Sequence, residues 1–107
     1  MCIFCQIIKK EIPSEIVFED DELIVFKDVN PSAPVHVLIV PKKHIESLIK
    51  ITQADRSIIE KMVWRAKILA SEFGLNKAGY RLQLNCGRGG GQIVDHIHIH
   101  LQGGWKK

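Results

Sequence analysis

The sequence lacks any long hydrophobic run and has few cysteines. No apolar stretch approaches the roughly 20 residues of a membrane span, and no signal peptide is recognisable, so we expect a protein without a membrane segment. The three cysteines are an odd number, which in the absence of a secretory signal indicates a reducing compartment rather than a disulfide framework. These absences predict a cytoplasmic location.

The sequence also lacks a strong excess of charge of either sign. Fifteen lysines and arginines against twelve aspartates and glutamates give a net charge of +3, and the basic residues are scattered along the chain. This balance is compatible with anionic small molecules but is not typical of a nucleic-acid-binding protein. With 107 residues, 46% hydrophobic and 25% charged, the sequence predicts a single globular domain over residues 1–107.

Three of the five histidines alternate with aliphatic residues at positions 96–102 (HIHIHLQ). In a strand, alternate side chains point to one face, so the rings of His96, His98 and His100 are predicted to share a face at roughly 6.5–7 Å spacing. One ring could then attack a group that the next ring binds. A purification tag would be homopolymeric and terminal, and an incidental polar face rarely carries three histidines. The pattern therefore favours a site.

The remaining patterns predict short strands and two helices. A short helix is predicted at Gln6–Glu11, ended by Pro13, and a long helix from an N-cap at Thr52, with Asp55 completing a capping box, to Phe73, with Gly74 following it. The predicted strands are a hairpin of Glu15–Asp20 and Leu23–Asp28, a buried central strand at Val35–Val40, and Tyr80–Asn85.

The long helix carries two apolar surfaces. Its main stripe is predicted to cover the sheet and consists of Ile58, Ile59, Met62, Val63, Ala66, Leu69, Ala70 and Phe73. Trp64 and Ile68 lie almost opposite that stripe at ~100° per residue. An exposed pair of this kind indicates a contact surface for self-association, although scattered apolar residues are also common on protein surfaces.

Two further segments could bind a ligand. The loop Cys86–Gln92 contains four glycines, and such a loop is either a flexible turn or a set of backbone N–H groups that holds a phosphate beside His98. Cys2 and Cys5 could be a redox pair, half of a zinc site, or two small buried apolar residues. His36, alone in a buried strand, is typical of a satisfied core histidine, and His44 of a surface residue.

These features together resemble the histidine triad (HIT) nucleotide-binding family, over nearly the whole chain. The resemblance is carried by the histidine run, Asn85 and Gly91-Gln92, and it is greatest to the purine nucleoside phosphoramidase branch. It implies an α+β fold with a mainly antiparallel five-stranded sheet, one long helix and a short N-terminal helix. It also implies a homodimer formed through the 53–73 helix.

The resemblance implies that His98 attacks the α-phosphorus of a purine nucleoside 5′-phosphoramidate. The product would be a nucleotidyl-histidine, which water hydrolyses to a nucleoside monophosphate. His100 would donate to the phosphate or to the departing amine, while His36 and His96 would hold the active tautomer.

The resemblance also implies how the nucleotide is bound. Asn85 and the backbone of Gly91, Gln92 and Ile93 would donate to the phosphate, and Asp28 would accept from both ribose hydroxyls. The base pocket would be walled by Phe4, Ile7, Phe26 and Val29. Ile93 stands where this branch often has a serine that reaches the leaving group, and isoleucine can offer only its amide.

In a subset of bacterial relatives the two N-terminal cysteines and two histidines form a zinc site. The corresponding ligands here would be Cys2, Cys5, His44 and His96, a closed Cys₂His₂ set of structural type. No catalytic metal or organic cofactor is expected. The same histidines would also suit a dinucleoside polyphosphate hydrolase, a metallohydrolase with a metal on the triad, or a non-catalytic nucleotide-binding module.

Overall fold

The computed structural model describes residues 2–106 as one antiparallel sheet with a helix on each face. The helices are α1 (Ile3–Ile8) and α2 (Arg56–Glu72), and the strands are β1 (Ile16–Glu19), β2 (Leu23–Lys27), β3 (Val35–Pro41), β4 (Tyr80–Gln83) and β5 (Ile99–Gly103). The five strands lie in the order β1-β2-β3-β5-β4, and each neighbouring pair is antiparallel. The predicted α+β architecture is confirmed. Within residues 2–106, neither helix combines the length and apolar character that crossing a membrane requires.

The central strand β3 is buried on both sides, as its apolar run predicts. Val37 and Ile39 pack in the core beneath α2, whereas Leu38 and Val40 pack in a second core with Phe4 of α1. Alternation along a strand sends successive side chains to opposite faces, so the two cores lie on opposite faces of the sheet.

The same alternation places the histidines of β3 and β5 on the α1 face. His36 lies two residues before Leu38 and therefore shares its face. His100 is the cross-strand partner of Leu38, and Gln102 is the partner of His36. These three polar side chains are consequently neighbours on the α1 face.

Helix α2 begins later than predicted. Gln53–Asp55 form a 3₁₀ turn, and neither Thr52 nor Asp55 makes a side-chain cap hydrogen bond. The predicted capping box is wrong because both carboxylate oxygens of Asp55 accept from Lys43 Nζ at 2.9 Å. The helix ends as predicted, with Phe73 as C-cap and Gly74 following at φ +74°, a conformation that glycine adopts without steric cost.

Helix α1 begins earlier than predicted and the histidine strand begins later. Cys2 caps α1 by accepting from the Cys5 N–H at 3.4 Å, so the helix starts at Ile3 rather than Gln6. Strand β5 starts at Ile99 rather than His96, because its pairing with β3 ends at Ile39. The Ile97 N–H instead donates to the Ile45 carbonyl at 2.7 Å, so residues 96–98 follow the segment beyond β3.

Candidate active site

A cleft of about 840 Å³ opens on the α1 face of the sheet. It brings together most of the predicted nucleotide-binding and catalytic residues: Phe4, Ile7, Phe26, Asp28, Val29, His36, Asn85, Gly91, Ile93, His98 and His100. Two predicted residues, Gln92 and His96, do not line it. One side is apolar and the other carries imidazole, amide and carboxylate groups, an arrangement that suits a ligand with an aromatic end and a phosphate end.

His98 is held in the tautomer that a nucleophile requires. Its Nδ1 lies 2.8 Å from the His96 carbonyl oxygen, and since a carbonyl can only accept, Nδ1 carries the proton and Nε2 keeps its lone pair. The ring is buried and meets Phe4 edge-on, with centroids 5.1 Å apart. Burial lowers the pKa of His98 below its ordinary value, which keeps the lone pair available near neutral pH.

His100 lies beside His98 and is hydrogen-bonded to His36. The ring centroids of His98 and His100 are 5.0 Å apart, closer than the predicted 6.5–7 Å, and His98 lies before β5, where ideal strand spacing does not apply. The Ser32 N–H donates to His36 Nδ1 at 3.0 Å, so a neutral His36 carries its proton on Nε2 and donates it to His100 Nδ1 at 2.9 Å. His100 therefore keeps its own proton on Nε2, as a hydrogen-bond donor.

The charge state of His100 supports that assignment. Burial, with smaller contributions from the neighbouring His98 and His36 rings, lowers the pKa of His100 to about 4. Burial also lowers the pKa of His36, although the nearby Asp28 carboxylate, 3.4 Å from His36 Nε2, opposes the shift. The pair is accordingly neutral at physiological pH, and each ring has a single proton to place.

His96 acts on this group through its backbone rather than its ring. Its carbonyl oxygen orients His98, while its fully buried imidazole donates from Nε2 to the Pro41 carbonyl at 2.7 Å. The ring therefore presents Nδ1 to the N-terminal segment, away from the cleft. The predicted role of His96 in holding the active tautomer stays a prediction, and the group that would carry it is the backbone carbonyl.

The glycine-rich loop uses most of its own donors. The Gly91 and Gln92 N–H groups donate to the Arg88 and Gly87 carbonyls at 3.0 Å, so both are used within the loop, and their role as phosphate donors stays a prediction. The buried Gln92 side chain donates to the Glu46 and Val94 carbonyls. Two donors that flank the loop remain available to a ligand.

Those donors belong to Ile93 and Asn85. The Ile93 N–H has no partner among residues 2–106, and the residue is 82% exposed at the cleft. Asn85 Nδ2 donates one of its two hydrogens to the Gly90 carbonyl at 2.7 Å and keeps the other.

The sequence-predicted zinc ligands also come together. The donor atoms of Cys2, Cys5, His44 and His96 all lie within 4.8 Å of one another. His44 Nδ1 and His96 Nδ1 are 3.2 Å apart. Cys5 Sγ lies 3.3 Å from His44 Nδ1, and Cys2 Sγ lies 3.4 Å from His96 Nδ1. A tetrahedral zinc ion with ordinary bond lengths separates its ligand atoms by about 3.3–3.8 Å, so the four residues fit such an ion.

The tautomer of His96 gives a second reason that this group suits a metal. Because His96 Nε2 carries the proton, its Nδ1 presents a lone pair to His44 Nδ1 and to two thiols. Two imidazole nitrogens at 3.2 Å can share one proton or one cation, and thiolates and imidazoles are the ligands that zinc prefers.

Several known proteins have similar sequences. Residues 1–105 match the family model described as scavenger mRNA decapping enzyme C-term binding. Protein HitA of Neisseria gonorrhoeae is 44% identical over 102 residues, covering 95% of this chain and 94% of that protein. An uncharacterized HIT-like protein of Synechococcus elongatus is 45% identical, with 95% and 89% coverage. The chain belongs to the HIT family.

Solved HIT structures have the same fold. A HIT family hydrolase from Legionella pneumophila superposes with a TM-score of 0.96 at 46% identity, covering 99% of this chain and 95% of that one. A histidine triad protein from Clostridium difficile gives a TM-score of 0.94 at 45% identity, with 99% and 92% coverage. The family resemblance and the fold predicted from the sequence are both confirmed.

The HIT site contains residues that the sequence analysis missed. Arg88 braces the glycine-rich loop: Nη1 donates to the Gln92 and Ile93 carbonyls, and Nη2 lies 3.0 Å from Asp95. A single arginine among glycines gives little sequence signal. Gln102 had a clearer sequence signal, because it continues the same-face series of positions 96, 98 and 100. In the structure it is buried beside His36.

Proposed function

We propose that this HIT protein hydrolyses the P–N bond of purine nucleoside 5′-phosphoramidates through a covalent intermediate on His98. The observation that carries this proposal is the Nε2 lone pair of His98, fixed by the His96 carbonyl in a cleft that has apolar walls on one side and N–H donors on the other. A neutral imidazole nitrogen is a competent nucleophile near pH 7.

The reaction proceeds in two displacements. His98 Nε2 attacks the α-phosphorus, a phosphorus–imidazole bond forms, and the P–N bond to the amine breaks with the amine leaving protonated. Water then displaces His98 and releases the nucleoside monophosphate. The bond from His98 Nδ1–H to the His96 carbonyl stabilises the positive charge that the imidazole carries in the intermediate.

The surrounding residues bind and orient the substrate. The Nε2–H of His100 and the N–H groups of Asn85 and Ile93 donate hydrogen bonds to the phosphate oxygens. The leaving amine takes its proton from solvent water, because a neutral His100 can donate a hydrogen bond but cannot give up its only ring proton. Isoleucine at position 93 has no hydroxyl that could bond to the leaving group.

The nucleoside end occupies the other side of the cleft. The purine lies between Phe4, Ile7 and Phe26, whose apolar surfaces accept either purine. The Asp28 carboxylate accepts from the ribose hydroxyls, and Val29 borders the rim.

Trapping the intermediate tests the proposal. Enzyme quenched in acid-free denaturant during turnover of adenosine 5′-phosphoramidate is expected to carry an added nucleotide mass on the peptide that contains His98. Turnover with no nucleotide adduct on this peptide at any quench time would count against covalent catalysis. Turnover that persists in chelator would exclude a catalytic metal on Asp28, His36 and His100, whose donor atoms also lie within 4.8 Å of one another.

Substrate comparison tests the reaction class. We expect kcat/KM for adenosine 5′-phosphoramidate to exceed that for diadenosine tetraphosphate, because the cleft of one chain offers a single apolar base site and few cationic groups for a polyphosphate. A preference for the dinucleotide would assign the protein to the dinucleoside polyphosphate hydrolases instead.

Activity is expected to persist at mildly acidic pH. The pKa of His100 is about 4 and that of His36 is also lowered, so both rings stay neutral below the ordinary histidine pKa of about 6.5. Protonation of the two rings breaks the hydrogen bond between His36 and His100. We therefore expect kcat/KM to stay constant as the pH falls through 6.5 and to decline only as the pH approaches the lowered pKa values. A profile of kcat/KM on folded enzyme checks this, and a half-maximal point at or above pH 6.5 would contradict it.

We also propose that Cys2, Cys5, His44 and His96 hold a structural zinc ion. The fit of their donor atoms supports it, and four protein ligands leave no open position for water. The ion would link α1 to the segment after β3 and to the residue that orients His98. Thiolate ligands also favour a reducing compartment, which supports the proposed cytoplasmic location.

We propose that two copies associate through the outer face of α2. Trp64 is 59% exposed and Val63 is 44% exposed there, although Val63 was predicted to be buried, and Ile68 is only partly exposed. An apolar strip on a helix favours a self-association surface. Equilibrium sedimentation of the protein and of Trp64→Glu tests this: the first is expected to be a dimer and the second a monomer.

A further inference from the structure

The buried side chain of Gln102 links the outer edge of the sheet to the histidine pair. It is 4% exposed and lies in β5 between its cross-strand partners His36 in β3 and Arg81 in β4. Its Oε1 accepts from Arg81 Nε at 2.9 Å, and its Nε2 donates to Ser32 Oγ at 2.8 Å. Because arginine can only donate, the orientation of the Gln102 amide is fixed, and its NH₂ group must face Ser32.

Ser32 in turn determines the tautomer of His36. Its N–H donates to His36 Nδ1 at 3.0 Å, and its Oγ lies 3.5 Å from the same nitrogen. Ser32 is itself exposed, in an irregular loop between Pro31 and Pro34. Besides these two contacts with His36, the hydrogen bond from Gln102 to Ser32 Oγ, at 2.8 Å, ties this loop residue to the sheet.

We propose that Gln102 is a positioning residue that keeps His100 a hydrogen-bond donor towards the cleft. It does so by holding the Ser32 amide on His36, so that the His36 proton stays on Nε2 and the His100 proton also stays on Nε2. If Ser32 moved away, His36 could carry its proton on Nδ1. The bond between the rings would then reverse, His100 would be protonated on Nδ1, and a lone pair would face the phosphate oxygens.

This inference rests on the proposed function only for its kinetic consequence, since the tautomers can be measured directly. Two-bond ¹H–¹⁵N correlation spectra of the imidazoles report which nitrogen carries the proton. In the unaltered protein, His36 and His100 are both expected to show the Nε2–H pattern. An Nδ1–H pattern at His36 would overturn the inference without any variant.

Two variants break the link from opposite ends. Gln102→Leu removes both amide bonds from the buried position, and Ser32→Ala removes the acceptor oxygen from an exposed loop, where folding is not at risk. Each is expected to show mixed tautomers at His36 and His100, with kcat for adenosine 5′-phosphoramidate reduced roughly 10–100-fold and a much smaller change in KM. The double variant should be no worse than the more severe single variant, because both changes remove the same link.

The matched control is Gln53→Leu, the same substitution at an exposed glutamine in the turn before α2. It should retain the tautomers and kcat of the unaltered protein. Single Nε2–H tautomers and unchanged kcat in folded Gln102→Leu and Ser32→Ala would overturn the inference. The expected tautomers in a protein that releases no nucleoside monophosphate from the phosphoramidate would support the inference while overturning the proposed function.

Discussion

Replacing His98 with asparagine is expected to lower kcat for adenosine 5′-phosphoramidate by about 10⁴-fold or more, since the nucleophile is lost and no second pathway is available. The asparagine amide can still donate towards the His96 carbonyl, so the local structure should be maintained. The affinity for adenosine monophosphate, measured by calorimetry, should change far less than kcat, because the base and ribose contacts lie elsewhere in the cleft.

His100→Asn is the informative partner for that variant. It removes the hydrogen-bond donor but leaves the nucleophile, so its kcat should fall by roughly 10²–10³-fold, the usual cost of losing one donor to the charge that develops on the phosphate, while the nucleotide adduct still forms on His98. His98→Asn should form no adduct at all. Turnover by His98→Asn within tenfold of the unaltered enzyme would show that another group, or water alone, attacks the phosphorus.

Much of this site is visible in the sequence because alternation along a strand is a local property. The period of two in HIHIHLQ predicts His98 and His100 on one face, and both line the same cleft although His98 lies just before β5. The spacing of the rings was not predictable, since it depends on where β5 starts. That position is set by the end of pairing with β3 and by the bond between Ile97 and Ile45.

The functions of individual polar groups were harder to predict because they depend on partners distant in sequence. From its own strand His36 is typical of a core histidine, and only the family resemblance assigned it to the site. The pairing of β3 with β5 brings it to His100 across 64 positions. Gln92 was assigned to the phosphate, yet its amides are used within the loop and by Glu46. Hydrogen-bond competition of this kind cannot be resolved without coordinates.

The fold shows the same division between local and distant effects. The apolar stripe of α2 predicted the buried positions Met62, Ala66, Leu69 and Ala70 and the end at Phe73, but Val63 is 44% exposed. Its beginning was wrong because Asp55, a good capping residue by type, binds Lys43 instead. A lysine twelve positions away is outside the range that capping rules consider.

Removing zinc is expected to destabilise the protein strongly. A metal that binds only the folded chain stabilises it by about 4 kcal/mol when free zinc is 1,000 times its dissociation constant, so stripping it should lower the melting temperature by on the order of 10 °C or more for a domain of this size. Elemental analysis should find one zinc ion per chain in the protein as purified. Cys5→Ser, which replaces a thiolate by a poor zinc ligand, should lose both the ion and the added stability.

Cys86→Ser is the control, because it makes the same substitution at a free thiol outside the cluster. It should keep its zinc and the melting temperature of the unaltered protein. If Cys5→Ser and the chelator-treated protein have the same melting temperature as the unaltered protein, the four residues do not form a structural zinc site.

The position of His96 makes one further consequence testable. Its ring belongs to the group of proposed zinc ligands, and its carbonyl oxygen lies 2.8 Å from His98 Nδ1. Cys5→Ser should therefore also lower kcat at temperatures where it remains folded. Cys86→Ser should keep both its zinc and its kcat.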